Sequence, residues 1–199
     1  MDREIREERL RAHEPAALLT HPHRYLRDPR NARHAEATRA HVETHQTLLD
    51  IGCYNGWLSF CMLESHCCAS AVGVELCAAN VKMSREYAER KKLPWTCYEG
   101  FFDEIDLPGT YDACTMYEVL EHMPFETACA CVDKAEKMAN LILVSLPEQD
   151  HHVNYQHLWT PTEKMIRDTW GERPDFTLDI WEYPGTSIPR NFYCTWRPA

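Results

Sequence analysis

"LLDIGCYNGW", residues 48–57, decides how this chain is read. An apolar run ends in Asp50 and passes into a turn where Gly52 and Gly56 enclose Cys53, Tyr54 and Asn55. The chain has 199 residues and only seven glycines, and two of them fall here. Glycine at such a turn admits left-handed backbone and lets a ligand or a second chain segment approach closely. The stretch closes a short buried strand, "TLLDIG", and opens a helix, "GWLSFCMLESH", at Gly56. That is where backbone N–H groups can be turned toward a ligand. The spacing is G-x-x-x-G rather than G-x-G-x-x-G, which speaks against the pyrophosphate of a dinucleotide.

On both sides of this turn, strands and helices alternate. Residues 2–18 and 31–45 read as helices, separated by the break "HPHRYLRDPRN". "SAVGVEL" is a second strand, and residues 77–92 form an amphipathic helix with a basic end, as the helix dipole prefers. Strands follow in "PWTCYEGFF", "TYDACTMYEV" and "NLILVSLP", with a helix over 125–139 between the last two. "TPTEKMIRDTW" starts a helix, with Thr160 as N-cap and Glu163 at the capping-box position. "DFTLDIWEY" and "RNFYCTWR" alternate like a closing hairpin. Alternating units with short connections predict an α/β fold with a mostly parallel sheet covered on both faces. In such sheets ligands bind at the carboxyl ends of the strands, near the switch point. Glu75 ends the second strand, nineteen residues after Gly56. An acidic side chain there can accept hydrogen bonds from both ribose hydroxyls of a nucleoside, and it can equally be an ordinary strand-end charge.

Composition narrows the class. The chain is 44% hydrophobic and 26% charged, as in a soluble globular domain. No apolar stretch has the length of a membrane span, and the charged start "MDREIREERLRAHE" is unlike a signal peptide, so a cytoplasmic protein with no membrane partner is expected. Net charge is −10, unevenly spread: residues 1–46 hold nine Arg against eight Asp/Glu, and the remainder twelve Lys/Arg against twenty-three Asp/Glu. An acidic body repels phosphate backbones, which disfavours nucleic acid as partner; only the Arg- and His-rich N-terminal segment could act as a local basic patch. The ten cysteines form no CxxC pair and mostly sit in apolar runs, so they read as reduced core residues rather than a metal or disulfide framework.

Taken together, "LLDIGCYNG", Glu75, "YDACTMYEVLEHMP" and "HLWTP" (157–161) resemble the class I S-adenosylmethionine-dependent methyltransferases, in the right order over about residues 47–199. The resemblance implies a Rossmann-like fold with a seven-stranded, mostly parallel sheet, S-adenosylmethionine as cofactor, and two parts: residues 1–46 as an N-terminal helical extension or lid, and 47–199 as the cofactor-binding domain. It implies that Asp50 and the backbone of Gly52, Cys53 and Gly56 hold the methionine end, that Glu75 holds the ribose, and that Met116 and Tyr117 line the sulfonium side. Two departures stand out. Tyr54 occupies a position where the family usually has glycine, so it either is routed around or packs on the ligand. After Gly100 come Phe101 and Phe102, with Asp103 beyond; the phenylalanines can pack on the adenine or belong to the core, and Asp103 can bond the base.

"EVLEH" places Glu118, Glu121 and His122 at i, i+3 and i+4, one face if the segment turns helically. Two carboxylates and an imidazole could hold Mg2+ or Mn2+, with a further ligand from His151, His152 or His157. The same E-x-x-E-H pattern is similar to that of the ubiquinone-pathway O-methyltransferases and of the small-RNA 3′-end 2′-O-methyltransferases. His122 is alternatively a catalytic base that takes the acceptor's proton. Tyr25, Tyr155, Trp159, Trp181 and Tyr183 are candidate walls of an acceptor pocket, or core. The expected activity is methyl transfer to an oxygen of a small molecule; the alternatives are RNA methylation and a catalytically silent cofactor-binding subunit.

Overall fold

The computed structural model describes residues 21–44, 46–148, 156–183 and 190–199. The helix expected over 2–18, together with His151, His152 and Tyr155, lies outside the described residues. Seven strands form one sheet in the order β3-β2-β1-β4-β5-β7-β6. They are β1 (Thr47–Ile51), β2 (Ser70–Glu75), β3 (Trp95–Glu99), β4 (Ala113–Tyr117), β5 (Ile142–Pro147), β6 (Thr177–Glu182) and β7 (Arg190–Trp196). The first five run parallel, and β7 enters antiparallel between β5 and β6. The strand order turns back between β1 and β4, which makes their carboxyl ends the switch point.

Strand alternation sorts the core into two layers. Leu49, Cys114, Ile142, Val144, Phe192 and Cys194 face one side, where α4 (Phe125–Glu136) and α5 (Glu163–Trp170) pack. Leu48, Ala113, Leu143 and Tyr193 face the other, beneath α1 (Pro29–His41), α2 (Trp57–Glu64) and α3 (Ala78–Lys91). α1 is an integral layer of the fold: His34, Ala35 and Thr38 are buried against the sheet.

Local chemistry moves several boundaries. The break before α1 contains a 3-10 turn, Pro22–Arg27. Asp28 caps α1 by accepting from Arg30 N, so the helix starts at Pro29 rather than residue 31. Thr162, not Thr160, caps α5: its hydroxyl accepts from Met165 N at 3.2 Å, and the helix begins one residue later. The E-x-x-E-H segment is a three-residue 3-10 turn, Leu120–His122, and Glu118 lies before it in left-handed backbone (φ +52°).

Candidate active site

The turn after β1 is shaped by its neighbours. Gly52 has φ +67°, and a β-carbon there would lie 2.4 Å from Val119 Cγ2. Its N–H and that of Cys53 both donate to Val74 O, which ties the turn to β2 rather than leaving these donors open. Gly56, at φ +80°, caps α2. Between them Tyr54 is also left-handed (φ +54°), a conformation glycine takes freely and one that puts strain of order 1 kcal/mol on a tyrosine.

Two lobes open on this turn. The first is lined by Gly52, Glu75, Phe101, Phe102, Val119 and His122, among others. Glu75 spans its mouth: Oε2 accepts from Tyr54 N at 2.9 Å and Oε1 from Cys77 N at 2.8 Å. Burial pushes its carboxyl up to about 7, against those two hydrogen bonds. A flat aromatic wall beside a strand-end carboxylate suits a nucleoside. The second lobe is polar, with Asn31, His34, Asp50, Cys53, Tyr54 and Tyr117. Gly52 and Glu118 line both lobes and mark where they join.

The sequence candidates divide on this frame. Asp50 lines the polar lobe, but its carboxylate is taken: Ser59 Oγ donates to Oδ2 at 2.7 Å and Thr115 Oγ1 to Oδ1 at 2.9 Å. It braces β1, β4 and α2, and burial pushes it up to about 6. Met116 does not line the cleft; it is fully buried in the core, because strand alternation turns it toward the layer of α4 and α5. Tyr117 does line it, stacked on His34 with ring centroids 4.5 Å apart. Phe102 belongs to both core and wall, whereas Asp103 is exposed and outside both lobes. Among the aromatics, Trp159 is core, Tyr25 stacks on Trp57 and Trp181 on Tyr193.

The left-handed backbone at Glu118 turns its side chain away from Glu121 and His122. Glu118 Oε1 accepts from Asn191 Nδ2 at 2.8 Å, and Oε2 lies 3.5 Å from Arg30 Nη1. Burial raises its pKa despite these partners. In its place His157 completes a cluster with Glu121 and His122, whose ligand atoms all lie within 4.8 Å of one another. Glu121 is fully buried, and neither carboxylate oxygen has a hydrogen-bond partner among the described residues. An ionised carboxylate in that position is costly unless a cation joins it, so the cluster fits a divalent ion. His122 Nδ1 lies 3.3 Å from Gln156 O. A proton on Nδ1 would satisfy that carbonyl and leave the Nε2 lone pair on the Glu121 side.

The sequence did not point to His34, Arg30 or Asn191. His34 is a buried member of α1 whose Nε2 meets Ser145 Oγ at 2.8 Å, and burial holds it neutral with a pKa lowered to about 3. Its only sequence signal was one histidine among the six of residues 1–46.

Comparison with known proteins agrees with this geometry. Residues 48–140 match a family model described as a methyltransferase domain. No curated protein matches the chain in sequence. Among solved structures, magnesium protoporphyrin IX methyltransferase from Synechocystis PCC 6803, with bound SAH, is similar at TM-score 0.70 and 15% identity, over 98% of this chain and 100% of that one. The N-methyltransferase NodS from Bradyrhizobium japonicum is similar at TM-score 0.71 and 12% identity, over 96% of both chains. The small RNA methyltransferase HEN1 is similar at TM-score 0.69 and 19% identity, over 94% of this chain but 27% of that one.

Proposed function

We propose that the chain, of which residues 48–140 match a methyltransferase-domain model, is a class I S-adenosylmethionine-dependent methyltransferase that methylates an oxygen atom of a small-molecule acceptor at the junction of the two lobes. The observation that carries the proposal is the pairing of a nucleoside-shaped lobe, with Glu75 and Phe101, and a polar lobe that meet at Gly52 and Glu118. When bound, the cofactor supplies a methyl group activated on a positively charged sulfur. Glu75 would accept the ribose hydroxyls, Phe101 would pack on the base, and the backbone at Gly52 would allow close approach. Asp50 and Ser59 hold the turn rather than the ligand. His122 stands on the nucleoside lobe with Glu75, and the polar lobe with Tyr117 and Asn31 is the side from which an acceptor or the methionine end would be held. What remains for the protein is in-line placement and a path for the acceptor's proton.

Glu121, His122 and His157 would hold a divalent ion, whose chemistry is to lower the pKa of an acceptor hydroxyl. One carboxylate and two imidazoles suit manganese better than magnesium, which prefers oxygen ligands. This cluster, with the fold likeness to the small RNA methyltransferase, also favours a second reading: 2′-O-methylation of RNA, gripped by the arginines on α1 and the preceding 3-10 turn. The compartment expected is the cytoplasm, and the described residues contain no helix long and apolar enough to cross a membrane. Tritiated-methyl S-adenosylmethionine, with a metabolite extract and a pool of short RNA as separate acceptors and with EDTA or Mn2+, tests both readings. Label in the metabolite pool is expected; label confined to RNA would replace the first reading with the second, and label in neither would leave a silent cofactor-binding subunit.

A further inference from the structure

Two thiols from different elements meet behind the cofactor turn. Cys53 Sγ, just after β1, lies 3.9 Å from Cys97 Sγ in the middle of β3. β2 runs between these strands, and the side chains meet across it because residue 73 is glycine. Gly73 is in register with Asp50 on β1 and with Cys97 on β3, and a β-carbon there would come within 2.6 Å of Cys53 Sγ. Val81 and Trp95 close the rest of the slot. Both thiols are buried, yet Cys53 also forms part of the polar lobe's wall, which gives a small solute one route to the pair. The hydrogen bond from Cys53, with Ser84 and Arg85 behind it, holds the Cys97 thiol below its ordinary pKa against its burial, while burial pushes Cys53 up. The Arg85 guanidinium is fixed on Cys97 O by bonds of 2.6 and 3.1 Å.

We propose that Cys53 and Cys97 are a peroxide-sensitive dithiol whose closure to a disulfide weakens cofactor binding; this rests on the reading that the cleft holds S-adenosylmethionine. In the first step the Cys97 thiol gives up its proton and the thiolate attacks hydrogen peroxide; the O–O bond breaks, Cys97 becomes a sulfenic acid, and the departing hydroxide takes up that proton and leaves as water. In the second, Cys53 gives up its proton and attacks the Cys97 sulfur; the S–O bond breaks, the hydroxyl leaves as a second water, and the S–S bond forms. Two thiols lose two electrons in all, and one peroxide is reduced to two waters. Closing the pair from 3.9 Å to about 2.05 Å draws the turn toward β3. The Tyr54 N–H to Glu75 bond, at 2.9 Å, belongs to that turn and to the proposed ribose site at once, so the shift disturbs the site directly.

The test is peroxide treatment of the whole chain, disulfide mapping by mass spectrometry, and calorimetric titration with S-adenosylhomocysteine before and after. The expected result is a Cys53–Cys97 disulfide and at least a tenfold loss of affinity, reversed by dithiothreitol. Ligand bound beforehand should slow the crosslink, because the route passes through the lobe. Cys97→Ser, with Cys97→Ala as a second variant, should bind like the untreated parent and keep its affinity after peroxide. No 53–97 crosslink, unchanged affinity in the crosslinked protein, or equal loss in the Cys97 variants would overturn the proposal. Absence of binding by the untreated parent would instead overturn the cofactor reading, while the crosslink map would still report on the thiols.

Discussion

Glu75 shows how one residue links backbone, burial and function. Its carboxyl is held by two backbone N–H groups and raised by burial to about 7. Ribose hydroxyls donate to the charged form, so below that pH the site must lose a proton before it binds. S-adenosylhomocysteine affinity is therefore expected to rise between pH 6 and pH 8, and to be weak and flat in Glu75→Gln; calorimetric titrations at three pH values check it, and a flat profile in the parent protein would count against the assignment. Glu121 gives a residue-scale prediction of opposite kind. Its pKa is pushed well above the carboxylate range by burial, so the folded protein holds a proton there that the unfolded chain releases, and stability falls as pH rises above the ordinary value. Each pH unit of that gap costs about 1.4 kcal/mol. Glu121→Gln is expected to raise the melting temperature at pH 7.5 in EDTA, and Mn2+ to raise that of the parent but not of the variant. A less stable variant, or equal shifts with Mn2+, would contradict the metal-cluster reading. Spacing and the family resemblance single out Glu75, Glu121 and His122; the fold puts Glu75 and His122 on the first lobe and Glu121 beside His122. Spacing misplaced Glu118 because i, i+3, i+4 presupposes helical backbone, and Glu118 sits at φ +52°. The motif puts Met116 at the strand end but does not say which face it takes, and the fold turns it into the core.

Elements position these residues, and the connection between β3 and β4 is the clearest case. Phe101 and Phe102 wall the nucleoside lobe from a segment with no regular structure. Lys134, on α4, holds that segment: its ammonium donates to Phe102 O at 2.7 Å and Ile105 O at 2.6 Å and lies 4.9 Å from the centre of the Phe102 ring. Hydrogen bonds to a charged donor are worth about 1.5–3 kcal/mol. Lys134→Met should therefore lower the melting temperature by about 3–12 °C and weaken S-adenosylhomocysteine binding several-fold. Thermal scans and calorimetry measure both, and unchanged affinity would show that the wall does not depend on this latch. The strands themselves were legible because their apolar runs are short and bounded by turn residues. Thr162 rather than Thr160 as cap was not, since both threonines satisfy the composition of an N-cap and only the hydroxyl's reach to Met165 N separates them. His157, one of three histidines the sequence offers as a further ligand, reaches the Glu121 cluster because Leu158 N donates to Glu121 O across the connection after β5, a pairing no local pattern announces.

At the scale of the whole molecule, the sheet order puts the carboxyl ends of β1 and β4 side by side, and residues at or just past the ends of β1, β2, β3 and β4 line the first lobe. Alternating β and α units foretold a parallel sheet with helices on both faces, and two alternating segments foretold the final antiparallel pair. The position of β7 between β5 and β6 depends on Phe192 and Cys194 packing over α4 and α5, long-range contacts that a period-two pattern does not specify. The polar lobe was the least legible part, because it is assembled from α1, β4 and the turn after β1, with Asn191 of β7 beside it. The central claim is that this cleft holds S-adenosylmethionine, and calorimetric titration of the reduced 199-residue chain with S-adenosylhomocysteine at pH 8 tests it most directly. The expected result is one site per chain with micromolar affinity, weakened about tenfold to a hundredfold in Glu75→Ala, the loss of a charge-assisted partner. Absence of heat in the parent protein, with no thermal shift, would contradict it.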